Sequence, residues 1–462
     1  MRTALVLLFL YASHSVSYGQ EKLNYSINDC ISYALQNQPS IKKIRLDEQL
    51  QKEVNNEVVG MTRPQITANG QFQYLFVIPK QRADANAFNF GDAFSFFKVD
   101  TPAFLDYMSR PREKYSQFRF GLPLNLSAGI QASQLLFDAG VFVALQARKS
   151  LEELSILNTE RSEQELKINI TKAYYNCVIA EKRLALLNDN ITLLQNLEGM
   201  TRKLYNEGFA EKIDADRLTV QRNNLMNEKT KIDNLIELSY LMLKFQMGMP
   251  LHSNLALSED LTLDIIKTGL EIDPVVNYDN RIEMKLLQTA KKLNEYDLKR
   301  HQKSYLPTVA AAATGSFATQ TIAFKELFTL PYFPTGALVL NASMPIWDGN
   351  TRRAKVNQAK INLLKADLDI SSFKNAVDLE TGNARAQLKN SLISLENQEK
   401  NIELALKVYE ISQRKFKEGL GSNIEMLQAE TAYKEAQTNY FNSLYEAAIA
   451  KIDLQKALGL IK

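Results

Sequence analysis

Histidine is scarce in this sequence of 462 residues, and phosphate-binding glycine motifs are absent from it. The three histidines, His14, His252 and His301, are too few and too scattered for a catalytic triad or a zinc site. No glycine-rich loop of the kind that cradles phosphate is present. The sequence therefore argues against an enzyme and gives no reason to expect a cofactor or a metal.

The sequence also lacks a large excess of charge of either sign, and it contains few cysteines. The net charge is only +3, from 55 Lys and Arg against 52 Asp and Glu, so the surface is mixed and nucleic acid is not an expected partner. The two cysteines, Cys30 and Cys177, lie far apart without metal-ligand spacing, and one pair alone does not establish a disulfide. We interpret both as small buried helix residues.

The first 19 residues have the layout of a cleaved secretory signal. Arg2 is followed by an apolar run from Ala4 to Leu10 and then by small residues, which places the mature start near Gln20. The alternative is an N-terminal membrane anchor, but the run is much shorter than the roughly 20 residues that a spanning helix needs. No other stretch approaches that length without charges. An exported chain of this kind is periplasmic, extracellular or an outer-membrane barrel.

The chain repeats itself approximately. The segment from Glu207 to Gly248 aligns without a gap with the segment from Glu418 to Gly459, 211 residues later. Identity between the copies is low and mainly the spacing repeats, which indicates an old tandem duplication. Upstream, Phe137-Asp138 matches Trp347-Asp348. The predicted organisation is a signal peptide at 1–19, a first repeat at 20–251, a linker at 252–278 and a second repeat at 279–462.

Each repeat contains two segments in which apolar and polar residues alternate, as in strands with one wet face. Every segment is long enough to cross a bilayer when tilted, with one face toward lipid and the other toward a lumen. Four strands cannot close a barrel, whereas three chains of four strands would make twelve, although other multiples are possible. The alternative is a small soluble β-layer packed on helices. The predicted strands are about 64–79, 118–136, 307–321 and 336–346, with a long aromatic-rich loop at 80–117.

Each repeat also contains a helical pattern that is too long for a globular domain. The apolar residues from Leu166 to Leu194 follow alternating steps of four and three, a sustained heptad seam. A helix of some 60 residues is about 90–100 Å long. Gly208 and Gly419 end the long helices and fit left-handed caps that reverse the chain. The predicted long helices are about 141–207 and 351–418, and the return helices are about 213–247 and 424–458. A periplasmic coiled-coil adaptor or scaffold would share these hairpins but would not need two amphipathic strand pairs.

Taken in order, several short motifs resemble the TolC family of outer-membrane efflux proteins over the whole mature chain. The resemblance implies a duplicated helix–strand–strand–helix unit, mainly α with β. In a homotrimer it implies a twelve-stranded outer-membrane β-barrel continued by a periplasmic α-helical barrel. It also implies a lipid-embedded exit duct of a tripartite efflux or type I secretion system, in a Gram-negative outer membrane, with a periplasmic adaptor and an inner-membrane transporter as partners. The motifs are Ala34-Leu35 with Asn37-Gln38-Pro39, Arg63-Pro64, Leu135-Leu136-Phe137-Asp138, Pro345-Ile346-Trp347-Asp348-Gly349-Asn350, Glu418-Gly419 with Ile424, and Gln428-Ala429-Glu430.

The resemblance places function at the periplasmic tips of the hairpins. By position from the tip glycine, Asp214 and Glu425 match family acids that line or latch the entrance, and Gln428 falls where many members have a second acid. Acidic residues in a helix's first turn are also favourable for the helix alone. The residues expected at the adaptor-docking tips are Tyr205, Gly208, Ile213, Phe416, Gly419 and Ile424.

One family feature is missing from the second tip. Family members often place an arginine two residues after the second tip glycine, where it pairs with an acid and holds the pore shut. This chain has Gly421 there. Closure is therefore expected to use other groups, such as Arg217 or Lys212. Tyr205 and Phe416 are expected to pack between helices.

Overall fold

The computed structural model of the protein describes residues 24–84, 115–119, 121–268, 275–329 and 331–461. The predicted signal sequence lies outside these residues, as does most of the predicted loop at 80–117. The helices are α1 (Ile27–Asn37), α2 (Pro39–Gly60), α3 (Ala139–Asn206), α4 (Lys212–Met247), α5 (Leu263–Lys267), α6 (Ile282–Lys303), α7 (Thr351–Lys417) and α8 (Asn423–Ala457). The strands are β1 (Asn24–Tyr25), β2 (Gln65–Tyr74), β3 (Lys80–Asp84), β4 (Tyr115–Arg119), β5 (Leu124–Phe137), β6 (Ala256–Leu257), β7 (Thr308–Thr321) and β8 (Phe333–Ser343).

The chain divides into two compact units. The helical unit comprises Met1–Glu53, Ala147–Glu295 and Ala359–Lys462, and the sheet unit comprises Val54–Gln146 and Tyr296–Gln358. Each unit draws residues from both predicted repeats. Each of the two units is therefore built from matching parts of the two repeats.

The sheet unit is built on one antiparallel sheet in the order β2-β5-β7-β8. Gln65 pairs with Ser133 at one end of β2 and Tyr74 with Leu124 at the other. Every residue of β2 and of β8 is exposed, and these two strands are the edges of the sheet. The backbone groups on their outer sides have no partner strand in the described chain.

The limits of the strands differ from those that the alternation predicts. The predicted strand at 118–136 is divided into β4 and β5, because Gly121 has a φ of 101° and Pro123 lacks an N–H. The strand predicted at 336–346 occupies 333–343 instead, and Pro345 cannot extend it because it cannot donate to the ladder. β3 pairs with β4 over residues that the sequence assigned largely to a loop.

The two aspartates that mark the duplication cap the long helices. Asp138 Oδ1 accepts hydrogen bonds from the N–H groups of Gly140, at 2.7 Å, and Val141, at 3.1 Å. Asp348 Oδ2 accepts from the N–H of Arg352 at 3.0 Å. A carboxylate at this point satisfies N–H groups that have no partner within the helix and stabilises its positive end.

The helical unit is organised around the heptad seam of α3. Ile170, Cys177 and Leu194 on this seam are fully buried, as the alternating steps of four and three predict. Cys30 of α1 lies in the same core cluster as Cys177, and both are free thiols. Burial raises the pKa of each thiol to about 12, so both stay protonated and behave as small apolar residues.

Matching glycines end the return helices against matching neighbours. Gly248 has a φ of 68°, and a Cβ there would lie 2.7 Å from the Cα of Gln38. Gly459 also has a φ of 68°, and its Cβ would lie 2.9 Å from the carbonyl carbon of Asn280. Only glycine combines the left-handed backbone with so close an approach. These contacts fix the ends of α4 and α8 within the helical unit.

The segment predicted as a linker packs into the helical unit. β1 pairs in parallel with β6, and the hydroxyl of Tyr174 donates to the carbonyl of Tyr25 at 3.1 Å and accepts from the N–H of Glu259 at 2.9 Å. Leu261 and Ile266 are almost fully buried in the same core. The described part of this segment is therefore an ordered layer against α1 and α3.

Within the described ranges, none of the helices joins the length and apolar character that a membrane-crossing helix requires.

Candidate functional site: the hairpin tips

The two hairpins of the helical unit turn through the same backbone motif. At the first tip the N–H of Gly208 bonds to the carbonyl of Tyr205 and that of Phe209 to the carbonyl of Leu204. At the second tip Gly419 and Leu420 make the equivalent bonds to Phe416 and Lys415. Both glycines have a left-handed φ, 85° and 74°, which identifies a Schellman motif at each tip. The duplication is therefore preserved at the level of individual hydrogen bonds.

The two tips are joined by one polar contact. The Nδ2 of Asn423, at the start of α8, donates to the carbonyl oxygen of Asp214 at 3.2 Å and to its Oδ1 at 3.3 Å. Arg217 approaches the same carboxylate at 3.8 Å. Asp214 is half-buried while Asn423 is buried. Asp214 is thus held between the two hairpins of one chain.

Glu425 and Gln428 occupy a different environment. Glu425 is exposed in the first turn of α8, where its N–H bonds to the hydroxyl of the N-cap residue Ser422 at 3.1 Å. Its carboxylate lies 3.5 Å from the ammonium of Lys415, within the second hairpin. Gln428 is exposed one turn further along. The predicted acidic positions therefore do not meet in one chain: Asp214 links hairpins, whereas Glu425 and Gln428 face outward.

Gly421 stands in a crowded turn. A Cβ at this position would lie 3.1 Å from the Cβ of Lys415 and 3.2 Å from the backbone nitrogen of Phe416. The N–H of Gly421 also bonds to the carbonyl of Lys415 at 3.1 Å. A larger side chain would press on this turn, which is a physical reason for glycine there.

Apolar side chains project at both tips in matching positions. Phe209 and Leu420, next to the tip glycines, are 80% and 77% exposed. Ile213 and Ile424 begin the return helices and are about half exposed. Tyr205 is also exposed, whereas Phe416 packs against a leucine cluster between the hairpins. Phe416 therefore packs between the helices, as predicted. Tyr205 was expected to pack in the same way, but its side chain is exposed in the single chain.

A row of buried polar residues runs up α8 from the tip. Asn423, Glu430 and Gln437 are spaced by seven and are 6%, 1% and 6% exposed. Asn423 bonds to Asp214 of α4, and Gln437 accepts a bond from Asn190 of α3 at 3.4 Å. Neither carboxylate oxygen of Glu430, the middle member, has a hydrogen-bond partner.

Sequence reasoning missed Asn423 and the isolation of Glu430. Ser422-Asn423 directly before a helical pattern is an N-cap signal, and it could have directed attention to this turn. The motif Gln428-Ala429-Glu430 includes Glu430 but does not reveal its burial, because that burial depends on helices that are distant in sequence.

The described residues contain no group of His, Cys, Asp or Glu side chains that could hold a metal ion.

Comparison with known proteins identifies relatives in sequence and solved structures of similar fold. A family model of outer membrane efflux proteins matches residues 280–460. The outer membrane protein TolC of Escherichia coli is 20% identical over 346 residues, which cover 72% of this chain and 69% of TolC. Crystal structures of CusC superpose with a TM-score of 0.71 at 13% identity, covering 97% of this chain and 95% of CusC. VceC of Vibrio cholerae gives 0.68 at 13% identity, covering 94% and 96%. These structures confirm the predicted fold class.

Proposed function

We propose, from the premise that the chain belongs to the TolC family of outer-membrane efflux proteins, that it is an exit duct of an efflux or secretion system. The family is one of outer-membrane channels, so the protein is placed in the outer membrane. We further propose that the duct is passive: it conducts substrates and carries out no reaction of its own.

The edges of the sheet support a shared barrel. β2 and β8 each end the four-stranded sheet with unpaired backbone groups, and all their residues are exposed. Such edges are not tolerated in lipid, and closure removes them. Joining β8 of one chain to β2 of the next in three copies gives twelve strands. We therefore propose a homotrimer.

Exposed apolar side chains on the helices favour the same assembly. They are most numerous on α4 and on α7. A monomeric soluble surface of this character would be unusual, and a neighbouring copy would cover it. These residues include Val220, Leu235, Leu238, Met242, Phe245, Leu364, Leu368, Leu379, Leu404 and Val408, each at least 40% exposed.

The first test is the mass of the detergent-purified protein by light scattering, corrected for bound detergent. We expect three times the mass of the mature chain and a requirement for detergent. Leu338→Lys is expected to reduce recovery of the trimer, because this exposed residue of β8 is predicted to face lipid. Asn341→Lys is the matched control, three residues along on the opposite face. A monomer or dimer that needs no detergent would contradict the barrel and favour a periplasmic coiled-coil adaptor.

We also propose that the duct is gated at the hairpin tips and docks there on a periplasmic adaptor linked to an inner-membrane transporter. The bond from Asn423 to Asp214 joins the two hairpins, so separating the hairpins must break it. The exposed apolar residues at the tips, Phe209, Leu420, Ile213 and Ile424, offer a contact surface for an adaptor. Tyr205 and the turns at Gly208 and Gly419 complete that surface, with Phe416 supporting it from behind.

Single-channel recording in planar bilayers tests the gate. Reversing charge with Asp214→Lys and Glu425→Lys together is expected to increase open time, because the hydrogen bond from Asn423 to the carboxylate of Asp214 is lost. It should also reduce cation preference, because two acidic groups near the entrance become basic. Glu446→Lys, at an exposed site higher on α8, is the control and should leave both quantities unchanged. Equal open time and cation preference in the double variant and the wild type would contradict the placement of these residues at the entrance.

A further inference from the structure

We propose that the helical unit contains a binding site for a small oxyanion, in a cavity between α3, α4 and α8 that is centred on Arg183. The cavity has a volume of about 200 Å³. It lies along the hairpins, away from the tip residues that the proposed gate uses. Its ligand class follows from the side chains that line it.

Arg183 is a cation that the described chain leaves without a counter-charge. Its side chain is half-buried, and its Nε is inaccessible to water and makes no hydrogen bond. Burial lowers the pKa of its guanidinium, which means that its positive charge is poorly solvated. Arg281, by comparison, is paired with two carboxylates. A planar guanidinium with free donors is suited to a carboxylate or phosphate group.

The other polar groups of the cavity add donors and a second cation. Lys434 lines the cavity but is paired with Glu228 across α4 and α8. The side-chain oxygen of Gln437 is used by Asn190, so the amide nitrogen of Gln437 remains able to donate. Two cations against one carboxylate leave an excess of one positive charge. The cavity therefore attracts an anion and can meet it with hydrogen-bond donors from two helices.

Apolar side chains strengthen this preference. Leu187 is buried, and Leu186 and Ile232 line the same cavity. A charge pair beside such a surface is less screened by water than one on the open surface. Binding of an anion would compensate the unfavourable burial of Arg183.

The size of the cavity limits the ligand. At about 30 Å³ per water molecule, the space corresponds to roughly six or seven waters. That is below the ~300–1,000 Å³ typical of sites for drug-sized molecules. Inorganic phosphate and small carboxylates fit, so the shared chemistry is a compact oxyanion. The cavity is not suited to large efflux substrates.

Isothermal titration of the full-length protein in detergent tests the site, with sodium phosphate and sodium succinate as separate probes at constant ionic strength. We expect saturable binding of at least one probe, and a comparison of the two separates phosphate from carboxylate recognition. Arg183→Gln should weaken that binding at least tenfold. Arg161→Gln is the matched control, because Arg161 lies on the same helix and pairs with Glu165 at 3.9 Å outside the cavity.

The variants must retain the circular dichroism spectrum and the oligomeric mass of the wild type, so that a loss of binding is not a loss of folding. Gln437→Leu provides a second approach, since it removes a donor without altering charge and should weaken binding less than Arg183→Gln. Absence of saturable binding of both probes to the wild type would overturn the proposal. Equal affinity of the wild type and Arg183→Gln would overturn it as well. Neither result would bear on the proposed duct, which is tested by mass and conductance.

Discussion

Replacing Arg281 by methionine is expected to destabilise the helical unit by about 2–3 kcal/mol. This is less than the cost of about 3–5 kcal/mol for breaking a fully buried ion pair, because the partners Glu283 and Glu380 are 31% and 41% exposed. Arg281 is 5% exposed. Its guanidinium donates to both carboxylate oxygens of Glu283, at 3.0 and 3.2 Å, to Glu380 at 3.0 Å and to the carbonyl of Ala457 at 2.9 Å. One side chain thus joins the start of α6, the middle of α7 and the end of α8.

The cost arises because Arg281→Met leaves acids without a counter-charge. Burial alone would raise the pKa of Glu283, but the hydrogen bonds and charge of Arg281 outweigh it and hold that pKa below its ordinary value. Without Arg281, half-buried Glu283 keeps the burial and loses the compensation. Chemical unfolding followed by circular dichroism measures the loss.

Arg45→Met is the matched control, because the guanidinium of Arg45 lies only 2.7 Å from the carboxylate of Glu163 but is 45% exposed, against 5% for Arg281. Exposed pairs contribute about 0–1 kcal/mol. Arg281→Met combined with Glu283→Leu should recover part of the stability, because it removes the orphaned acid together with the cation. Similar losses for Arg281→Met and Arg45→Met would show that the buried network does not hold the three helices together.

The long hairpins could be predicted from the sequence because their signals are local. The heptad seam of α3 and the glycines at 208 and 419 depend on residues within a few turns of each other, and the observed helix ends lie within two residues of the predicted ones. Strand limits were less accurate. Gly121 and Pro123 interrupt an alternation that continues on both sides of them, so periodicity alone does not reveal the break.

The polar contacts between helices that are distant in sequence could not be predicted in the same way. Asn423 and Asp214 are 209 residues apart, and Arg281 and Glu380 are 99 apart. Their meeting depends on how separate helices pack, which no pattern within one helix records. The roles of Asp214, Glu425 and Gln428 at the entrance stay predictions until conductance is measured.

Glu430 should make the local stability of the second hairpin depend on pH. It is 1% exposed, neither of its carboxylate oxygens has a partner, and burial raises its pKa to about 7 from an ordinary 4.5. Lys434, one turn along α8, opposes this shift but is already paired with Glu228 of α4. From α7, Glu430 is faced by Tyr409, whose pKa is raised by burial and by Glu430. The buried acid Glu198 of α3 is paired with Arg202 and Arg222.

The sign of the effect follows from the pH at which the folded and the unfolded chain each release the proton of Glu430. Below pH 4.5 the carboxyl of Glu430 is protonated in both folded and unfolded chains and costs nothing. As pH rises from about 4.5 to 7, the unfolded chain releases the proton while the folded chain keeps it, so stability falls. Above about pH 7 the full cost applies. At about 1.4 kcal/mol per pH unit of difference, that cost is about 3 kcal/mol.

Glu430→Gln keeps the shape of the side chain and removes the charge, so it should abolish this loss. Hydrogen exchange of the peptide covering residues 423–437, corrected for the intrinsic effect of pH, measures local opening. We expect the wild type to exchange about a hundredfold faster than Glu430→Gln at pH 8 and at the same rate at pH 4, since each tenfold corresponds to about 1.4 kcal/mol. Glu435→Gln, at an exposed site on the same helix, should match the wild type throughout. A wild-type peptide whose corrected exchange is the same at pH 4 and pH 8 would contradict this pH sensitivity, because it would show that burial does not penalise the charged carboxylate of Glu430.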